Sequence, residues 1–433
     1  MPALRAQPVI RQPLPPGLGA EQALRALAEA PELICLDSGK GGWTYVAAPD
    51  EGLFLRSLAD LPQASGRGGV AATGWPAAID GGWLLQVDYG LPVGQHAAAV
   101  AHGPHCGRAV PLRAWLAWDG DGRAWACGTE SQAVADLRAR ACGPALPLPV
   151  APLAPVPQPQ WPAAEHRAKV QALRQRIAAG ECFQANLAVP FTAPFVHAQG
   201  DLALFLRLRS RSPAPYAAFW RQPAGPGLAA RSICSHSPEC FLQGDGINLR
   251  SEPIKGTRRR QLGHEEAVVA ELQSSAKDRA ELAMIVDLVR NDLGRIAEVG
   301  SVRVADPAMR IDLDYVHHAA ARITCRPRAQ SQVSDWLAAA YPAGSITGAP
   351  KIQVMGLLQE IEGGDRGPYC GSFGWLGERS CALAVAIRTM VITSDQIRFH
   401  AGGGIVADSD PEAEWQEVLA KASAMTAALV AGA

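Results

Sequence analysis

Residues 251–260 read Ser-Glu-Pro-Ile-Lys-Gly-Thr-Arg-Arg-Arg. Lys255 stands between an apolar residue, Ile254, and a glycine, Gly256. This setting predicts a backbone that enters a packed strand and then turns sharply, because glycine tolerates dihedrals that other residues avoid. Lys255 would then project from a rigid element. A lysine so placed can be a solvated charge, an anion clamp or an amine nucleophile. On this stretch alone a structural or anion-pairing lysine is the plainer reading, and the rest of the chain has to decide.

The chain has 433 residues, with 40 Lys+Arg against 41 Asp+Glu and a net charge of -1. That balance gives no polyelectrolyte argument for nucleic acid or an anionic membrane as partner. A hydrophobic fraction of 48% suits a globular protein with a large core, in two or three domains or one two-lobed body. No apolar run of roughly 18 residues exists, so no transmembrane helix is expected. The N-terminus, Met-Pro-Ala-Leu-Arg-Ala-Gln-Pro, lacks a signal-type apolar stretch. The ten cysteines include no Cys-x-x-Cys and match neither a zinc site nor a small disulfide scaffold. Reduced thiols in a cytoplasmic protein are the expectation.

Residues 1–143 read as mixed, with a helix at 21–30, strands at 33–36, 81–87 and 114–118, and a hairpin turn at Asp119-Gly120-Asp121-Gly122. They show no acid–base pair or phosphate loop. Residues 144–162 carry eight prolines in nineteen positions and mark the best boundary in the sequence, either a connector or a surface loop. Beyond it, residues 163–430 have a different texture. An amphipathic helix at 164–179 buries Val170, Leu173 and Ile177 and is closed by Gly180. A strand follows at 182–191. Ser237-Pro238-Glu239 ends one strand and opens another.

The strongest helical pattern spans 278–296, with Leu282, Ile285, Val286, Val289 and Leu293 on one stripe. Glu281 and Asp287 lie off it, and Arg290-Asn291-Asp292 is a polar cluster, ordinarily a solvated face. Two glycine-rich turns are expected before helices. Gly344-Ser345-Ile346-Thr347-Gly348-Ala349-Pro350-Lys351 leads into a helix at 351–361, with Pro350 suited to its first position. Ala401-Gly402-Gly403-Gly404 ends a strand, and Ser409-Asp410-Pro411-Glu412 caps a helix to about 428. Helix N-termini and glycine amides are natural anion sites. Glu414, Glu417 and Lys421 share a face of that last helix. Carboxylates without a His/Cys set suit Mg²⁺ over zinc. A small dianion bound through Mg²⁺ and backbone amides fits the pattern. A nucleotide fits less well, since neither Gly-x-x-x-x-Gly-Lys-Ser/Thr nor Gly-x-Gly-x-x-Gly is present.

These segments resemble the chorismate-utilising enzymes, the family of anthranilate synthase component I, aminodeoxychorismate synthase component I and the isochorismate and salicylate synthases. The resemblance covers roughly residues 163–425 through Ser237-Pro238-Glu239, Pro253-Ile254-Lys255-Gly256-Thr257, residues 281–293, 344–351 and 401–408, and the Glu414, Glu417, Lys421 set. Residues 1–143 resemble the family's more variable N-terminal region. The implied fold is an α/β (α+β) sandwich of two large antiparallel sheets with helices outside. Both parts of the chain share it, so the proline run need not be a hinge.

The position of Lys255 separates activities in this family. Anthranilate synthases carry alanine there and aminodeoxychorismate synthases carry lysine. The resemblance therefore implies 4-amino-4-deoxychorismate formation from chorismate and ammonia, on the route to 4-aminobenzoate and folate. Lys255 would attack C2 as the 4-hydroxyl departs, with Glu239 as proton donor. A lysine in water, with its ordinary pKa of about 10.4, is neutral to only about 0.04% at pH 7, so Lys255 needs that pKa lowered and Glu239 needs the reverse. Glu281 and Glu417 match the Mg²⁺ ligands. Gly256, Thr257, Arg388, Gly402, Gly403 and Gly404 match chorismate-binding positions, Arg388 suiting a carboxylate. Thr347, Lys351, His318 and Lys421 match active-site or neighbouring positions, although a hydrogen-bonded core histidine is as good a reading of His318.

Trp375 stands where anthranilate synthases have a substrate-contacting tyrosine, and its N–H can only donate. Ser38, Pro215 and Tyr216 align with the family's tryptophan pocket, and whether tryptophan fills it stays open. No Gly-x-Cys-x-Gly glutaminase signature is present, which implies a separate glutamine amidotransferase subunit and a heterodimer. Ending at residue 433, the chain leaves no room for a fused lyase domain. Anthranilate or isochorismate formation, or an inactive relative, are the alternatives.

Overall fold

The computed structural model describes residues 8–39, 41–61, 74–76, 79–92, 106–150, 152–195, 199–261 and 263–430. Residues 1–7, where no signal sequence is expected, lie outside the described residues. The layering can be read from one strand, Leu33–Asp37, whose five residues are all buried. Successive side chains of a strand leave opposite faces. Leu33 and Cys35 join a core shared with helices Ala20–Ala26, Ser131–Ala141 and Gly200–Arg211. Ile34 and Leu36 point the other way, into a core with Trp75, Trp115, Tyr216 and Phe373. With both faces covered, the strand is apolar throughout instead of alternating. Strand Trp83–Val87 repeats the logic: Leu84 enters that central core, while Leu85 and Val87 join a third beside helices Ala276–Gly294 and Val333–Ala340. Two sheets thus pack face to face with helices outside each.

Among the described residues the sheets have 12 and 10 strands, and every pairing is antiparallel. The larger sheet places Leu33–Asp37, Tyr216–Gln222, Arg231–Ser237, Thr389–Ile392, Gln396–Ile405 and Gln184–Pro194 side by side. The smaller runs Ile254–Arg259, Val316–Cys325, Leu249–Glu252, Cys240–Gly244, Cys381–Val385, Ser372–Leu376, Trp83–Val87. Strands from either side of residues 144–162 therefore meet in both sheets, Leu33–Asp37 with Tyr216–Gln222 and Trp83–Val87 with Ser372–Leu376. Within that proline run Gln158–Pro159 pairs with Gln184–Pro194.

Most elements follow their sequence signals. Helix Ala163–Ala178 is closed by Gly180 at φ +79°. Helix Pro411–Val430 begins where the Asp410 carboxylate accepts from the amides of Glu412 (3.1 Å) and Ala413 (2.8 Å). The first helix stops at Ala26 rather than 30, ahead of Pro31, which disfavours helical geometry in the residue before it. Two expectations are corrected. Gly402, Gly403 and Gly404 end a strand as expected but do not form a turn: they are the last paired glycines of Gln396–Ile405, opposite Ala188, Leu187 and Asn186. Pro350 is the residue before helix Lys351–Glu362, with extended dihedrals, rather than its first turn.

No helix among the described residues is long and apolar enough to cross a membrane. No disulfide joins the ten cysteines, of which only Cys142 is exposed.

Candidate active site

Two crossings between the sheets sit side by side. Ser237-Pro238-Glu239 carries the chain from Arg231–Ser237 in the larger sheet to Cys240–Gly244 in the smaller. The segment ending at Arg388 makes the reverse crossing, from Cys381–Val385 to Thr389–Ile392. The crossings are stitched together by His236 N–H to Arg388 O (3.1 Å) and Val385 N–H to Glu239 O (3.1 Å). Arg388 adopts φ +49°, a left-handed conformation uncommon for a non-glycine residue. Glu239 is only 2% exposed, and burial pushes its carboxyl up to about 7, against a Ser345 hydrogen bond and the nearby Lys255 charge.

Lys255 reaches the same place from strand Ile254–Arg259. The sharp turn expected at Gly256 is instead a β-bulge. Lys255 faces Ala319, Thr257 faces His318, and Gly256 is the extra residue at φ +66°. A Cβ on Gly256 would lie 3.0 Å from Asp278 Cγ, so glycine also lets the strand approach the helices behind it. Lys255 Nζ donates to Ser345 O at 3.1 Å. The residue is half-buried, yet its amine sits deep enough for burial to hold its pKa below the usual lysine range, against Glu281, Glu239 and Glu417. The Ser345 hydroxyl donates to Glu239 Oε1. Ser345 therefore touches both the acid and the amine, although in the sequence it reads only as part of a glycine-rich motif.

His318 bridges two of the other named residues. Its Nδ1 lies 2.8 Å from Thr257 Oγ1 and its Nε2 3.1 Å from Arg388 Nη2. A guanidinium only donates, so Nε2 accepts and the ring's proton sits on Nδ1. Burial, then Arg388, lowers its pKa to about 3, which keeps the ring neutral. Arg388 Nη1 also donates to Tyr315 Oη at 2.8 Å. Nothing in the spacing around Tyr315 marks it as a site residue in the sequence.

The carboxylates come from two helices. Glu281 lies on Ala276–Gly294, and burial raises its pKa against Lys255 and Lys277. Glu417 lies on Pro411–Val430 and is nearly half exposed. Burial raises its pKa, but Lys421 at 2.7 Å, together with the Lys277 and Lys255 charges, more than reverses this, and the net direction is down. Lys421 also donates to Gly402 O at 2.7 Å. The glycine strand runs between these helices' carboxylates. A Cβ on Gly403 would stand 3.1 Å from Glu414 Oε2 and 3.5 Å from Glu417 Oε1, and one on Gly404 3.6 Å from Glu281 Oε2. Gly403 thus leaves room beside Glu414 and Glu417, while the place of a Gly404 side chain is taken by the Gln184 amide, whose Nε2 that Cβ would strike. The carboxylates are hard oxygen donors of the kind that suit Mg²⁺, which takes few protein ligands and keeps waters. No group of three or more His, Cys, Asp or Glu side chains of metal-site type occurs among the described residues. Lys277 bridges Glu414 (3.4 Å) and Glu281 (3.9 Å), a cation among these carboxylates that the sequence pattern does not reveal.

Other named residues do different work. Thr347 is fully buried, and its hydroxyl returns to the carbonyls of Ala343 (3.1 Å) and Gly344 (3.2 Å), which braces the turn bearing Ser345. Lys351 is buried with Asp292 at 2.6 Å, so the 290–292 cluster is not wholly a solvated face. Trp375 lies in the central core, donating to Gly81 O at 2.7 Å, and not with Lys255. Ser38, Pro215 and Tyr216 do meet, around an occupant from the chain. Trp75 N–H donates to Ser38 Oγ (2.8 Å), and its fully buried indole packs edge-on to Tyr216 (5.3 Å) and donates to Ala217 O (3.1 Å). A Cβ on Gly74 would stand 2.7 Å from Ser38 Oγ and 3.0 Å from Pro215 O.

The sequence pattern of one family, described as chorismate binding enzyme, matches residues 122–427. Aminodeoxychorismate synthase component 1 of Escherichia coli (strain K12) is 42% identical over 259 residues, 58% of this chain and 55% of that protein. An anthranilate synthase component 1 of Haloarcula marismortui is 41% identical over 266 residues, 60% of this chain and 51% of that protein. The chain thus spans about half the length of the curated relatives it matches. Among solved structures, MenF, the menaquinone-specific isochorismate synthase of Escherichia coli, superposes with a TM-score of 0.74 at 19% identity, over 99% of this chain and 96% of that one. Anthranilate synthase component I of Streptococcus pneumoniae TIGR4 gives 0.71 at 23% identity, over 98% and 93%. Both likenesses show the two-sheet sandwich as the shared fold.

Proposed function

The chain belongs to the chorismate-binding enzyme family, and from that premise we propose that it converts chorismate and ammonia into 4-amino-4-deoxychorismate and water. The observation that carries the reading is one turn with two opposed groups on it: Glu239, whose burial favours the acid, and Lys255, whose burial favours the free amine. Those are the protonation states that a proton donor and a nucleophile need. The Lys255 lone pair forms a bond to C2 of chorismate, the two conjugated ring double bonds shift, and the C4–O bond breaks. The leaving hydroxyl takes the Glu239 proton and departs as water, and the bound nitrogen stays a protonated secondary amine. Ammonia then adds at C4, the two double bonds shift back, and the C2–N bond returns its electrons to that nitrogen, which leaves as the neutral Lys255 amine. A proton from the added ammonia restores Glu239.

The remaining residues bind and orient. Arg388, its Nη2 steadied on neutral His318, and Thr257 suit a substrate carboxylate. Gly256, Gly402, Gly403 and Gly404 offer backbone groups, with Lys421 alongside and Thr347 bracing the turn opposite. Glu281 and Glu417 would hold Mg²⁺, which when bound would supply positive charge for the ring carboxylate. Ammonia comes from a glutamine amidotransferase subunit, consistent with the name component 1 borne by the relatives. The contacts of Trp75 with Ser38 and Tyr216 support a reading in which this side chain takes the place of a free tryptophan. The thiol-rich core suits the cytoplasm.

Anthranilate formation is the second reading, favoured by the 41% identity to an anthranilate synthase component 1. Incubation with chorismate, Mg²⁺ and ammonium, with product identification, separates them. The proposal expects 4-amino-4-deoxychorismate, and anthranilate as the main product would refute it.

A further inference from the structure

Resting on the reading that Glu239 is the acid and Lys255 the nucleophile, we propose that Ser345 is a positioning residue that sets both: its hydroxyl selects the oxygen of Glu239 that carries the proton, and its carbonyl aims the Lys255 amine. The Ser345 hydroxyl donates to Glu239 Oε1. An oxygen accepting that bond leaves the acid proton to Oε2. Oε2 is therefore the oxygen that delivers it to the departing hydroxyl. The carbonyl of the same residue accepts from Lys255 Nζ at 3.1 Å. Committing one N–H to that acceptor turns the lone pair of the neutral amine away from Ser345 and into the site.

Because one residue makes both contacts, acid and nucleophile are held in register by a single rigid unit. The turn Gly344–Ile346 is fastened on several sides. Gly344 lies against Leu288, where a Cβ would stand 2.8 Å from Leu288 Cδ2. Arg366 donates to Ile346 O at 3.2 Å, and Asn186 N–H donates to Thr347 O at 2.8 Å. The hydroxyl of Thr347 ties back to residues 343 and 344. Ser345 is 6% exposed, so water does not substitute freely for its hydroxyl.

The test is an infrared titration of the full chain without substrate. The carboxylic C=O band of Glu239 is identified by its loss in Glu239→Gln. Removing a donor to the carboxylate raises the pH at which that band disappears, by about one unit in Ser345→Ala. Ser345→Thr restores the wild-type midpoint, and Ser345→Cys, a weaker donor of similar size, falls between. In turnover with chorismate and ammonium, Ser345→Ala lowers kcat about tenfold with KM little changed, and Ser345→Thr recovers it. An unmoved midpoint in Ser345→Ala, or a Ser345→Thr that behaves like it, overturns the proposal. So does a rise in KM at unchanged kcat. The titration needs no turnover, so a product other than 4-amino-4-deoxychorismate would refute the proposed reaction and leave this readout to judge Ser345.

Discussion

Lys255, from strand Ile254–Arg259, meets the segment 344–351 at Ser345, and Lys351 ends that segment; burial holds both below the usual lysine range. Their partners differ. Lys351 Nζ meets the Asp292 carboxylate at 2.6 Å and Ala340 O at 2.8 Å. Lys255 Nζ hydrogen-bonds one neutral acceptor among the described residues, Ser345 O, and feels its carboxylates through space. A paired buried lysine is a structural tie whose charge is already spoken for. A buried lysine given a neutral acceptor keeps a route to the free amine. Burial alone therefore does not separate the two lysines; the missing counter-ion contact does.

The sharpest way to break this contrast is to remove each amine. Lys255→Ala lowers kcat by on the order of 10⁴-fold or more and leaves the thermal midpoint unchanged or raised, read by turnover and calorimetry. Glu239→Gln costs about 10²–10⁴-fold in kcat and removes the limb of the pH–rate profile near pH 7. Lys351→Ala instead destabilises by about 3–5 kcal/mol, because Asp292 is left buried without its partner; denaturant unfolding checks it.

Glu239 also makes stability depend on pH. Its folded pKa, about 7, lies above the ordinary 4.5, so its contribution is full below 4.5 and is lost as pH rises through 7. Wild type loses on the order of 3 kcal/mol across that window and Glu239→Gln does not, as unfolding at pH 5 and pH 8 would report. The smallest effect concerns Trp75: added tryptophan leaves wild-type melting and turnover unchanged. Trp75→Gly opens a cavity, and indole restores the lost stability. Tryptophan binding to wild type, seen by calorimetry, would contradict the occupant assigned to that pocket.

The elements were legible where period and punctuation agree, as in Ala163–Ala178 with Gly180 behind it, and the layering only through the family resemblance. The motif residues Glu239, Lys255, His318 and Arg388 were legible too, and the fold brings them together. What stayed hidden depends on distance in space. Ser345 looked like part of a glycine-rich turn, since nothing local says that its two polar atoms face an acid 106 residues earlier and an amine 90 residues earlier. The run 402–404 looked like a turn because glycine is a turn signal. Here glycine makes room beside Glu414 and Glu417 and for the Gln184 amide, a reason that only the packed structure reveals. Trp75 has no local periodicity, so its match to Ser38 and Tyr216 is invisible until the sheets are stacked.

The central claim is that Lys255 becomes covalently bound to substrate. Chorismate added without ammonia, followed by acid quench, digestion and mass spectrometry, reads it directly. The account predicts that the peptide bearing Lys255 gains the mass of chorismate less one water, and that Lys255→Ala gains nothing. An unmodified Lys255 peptide from an enzyme that forms 4-amino-4-deoxychorismate once ammonium is supplied would contradict it.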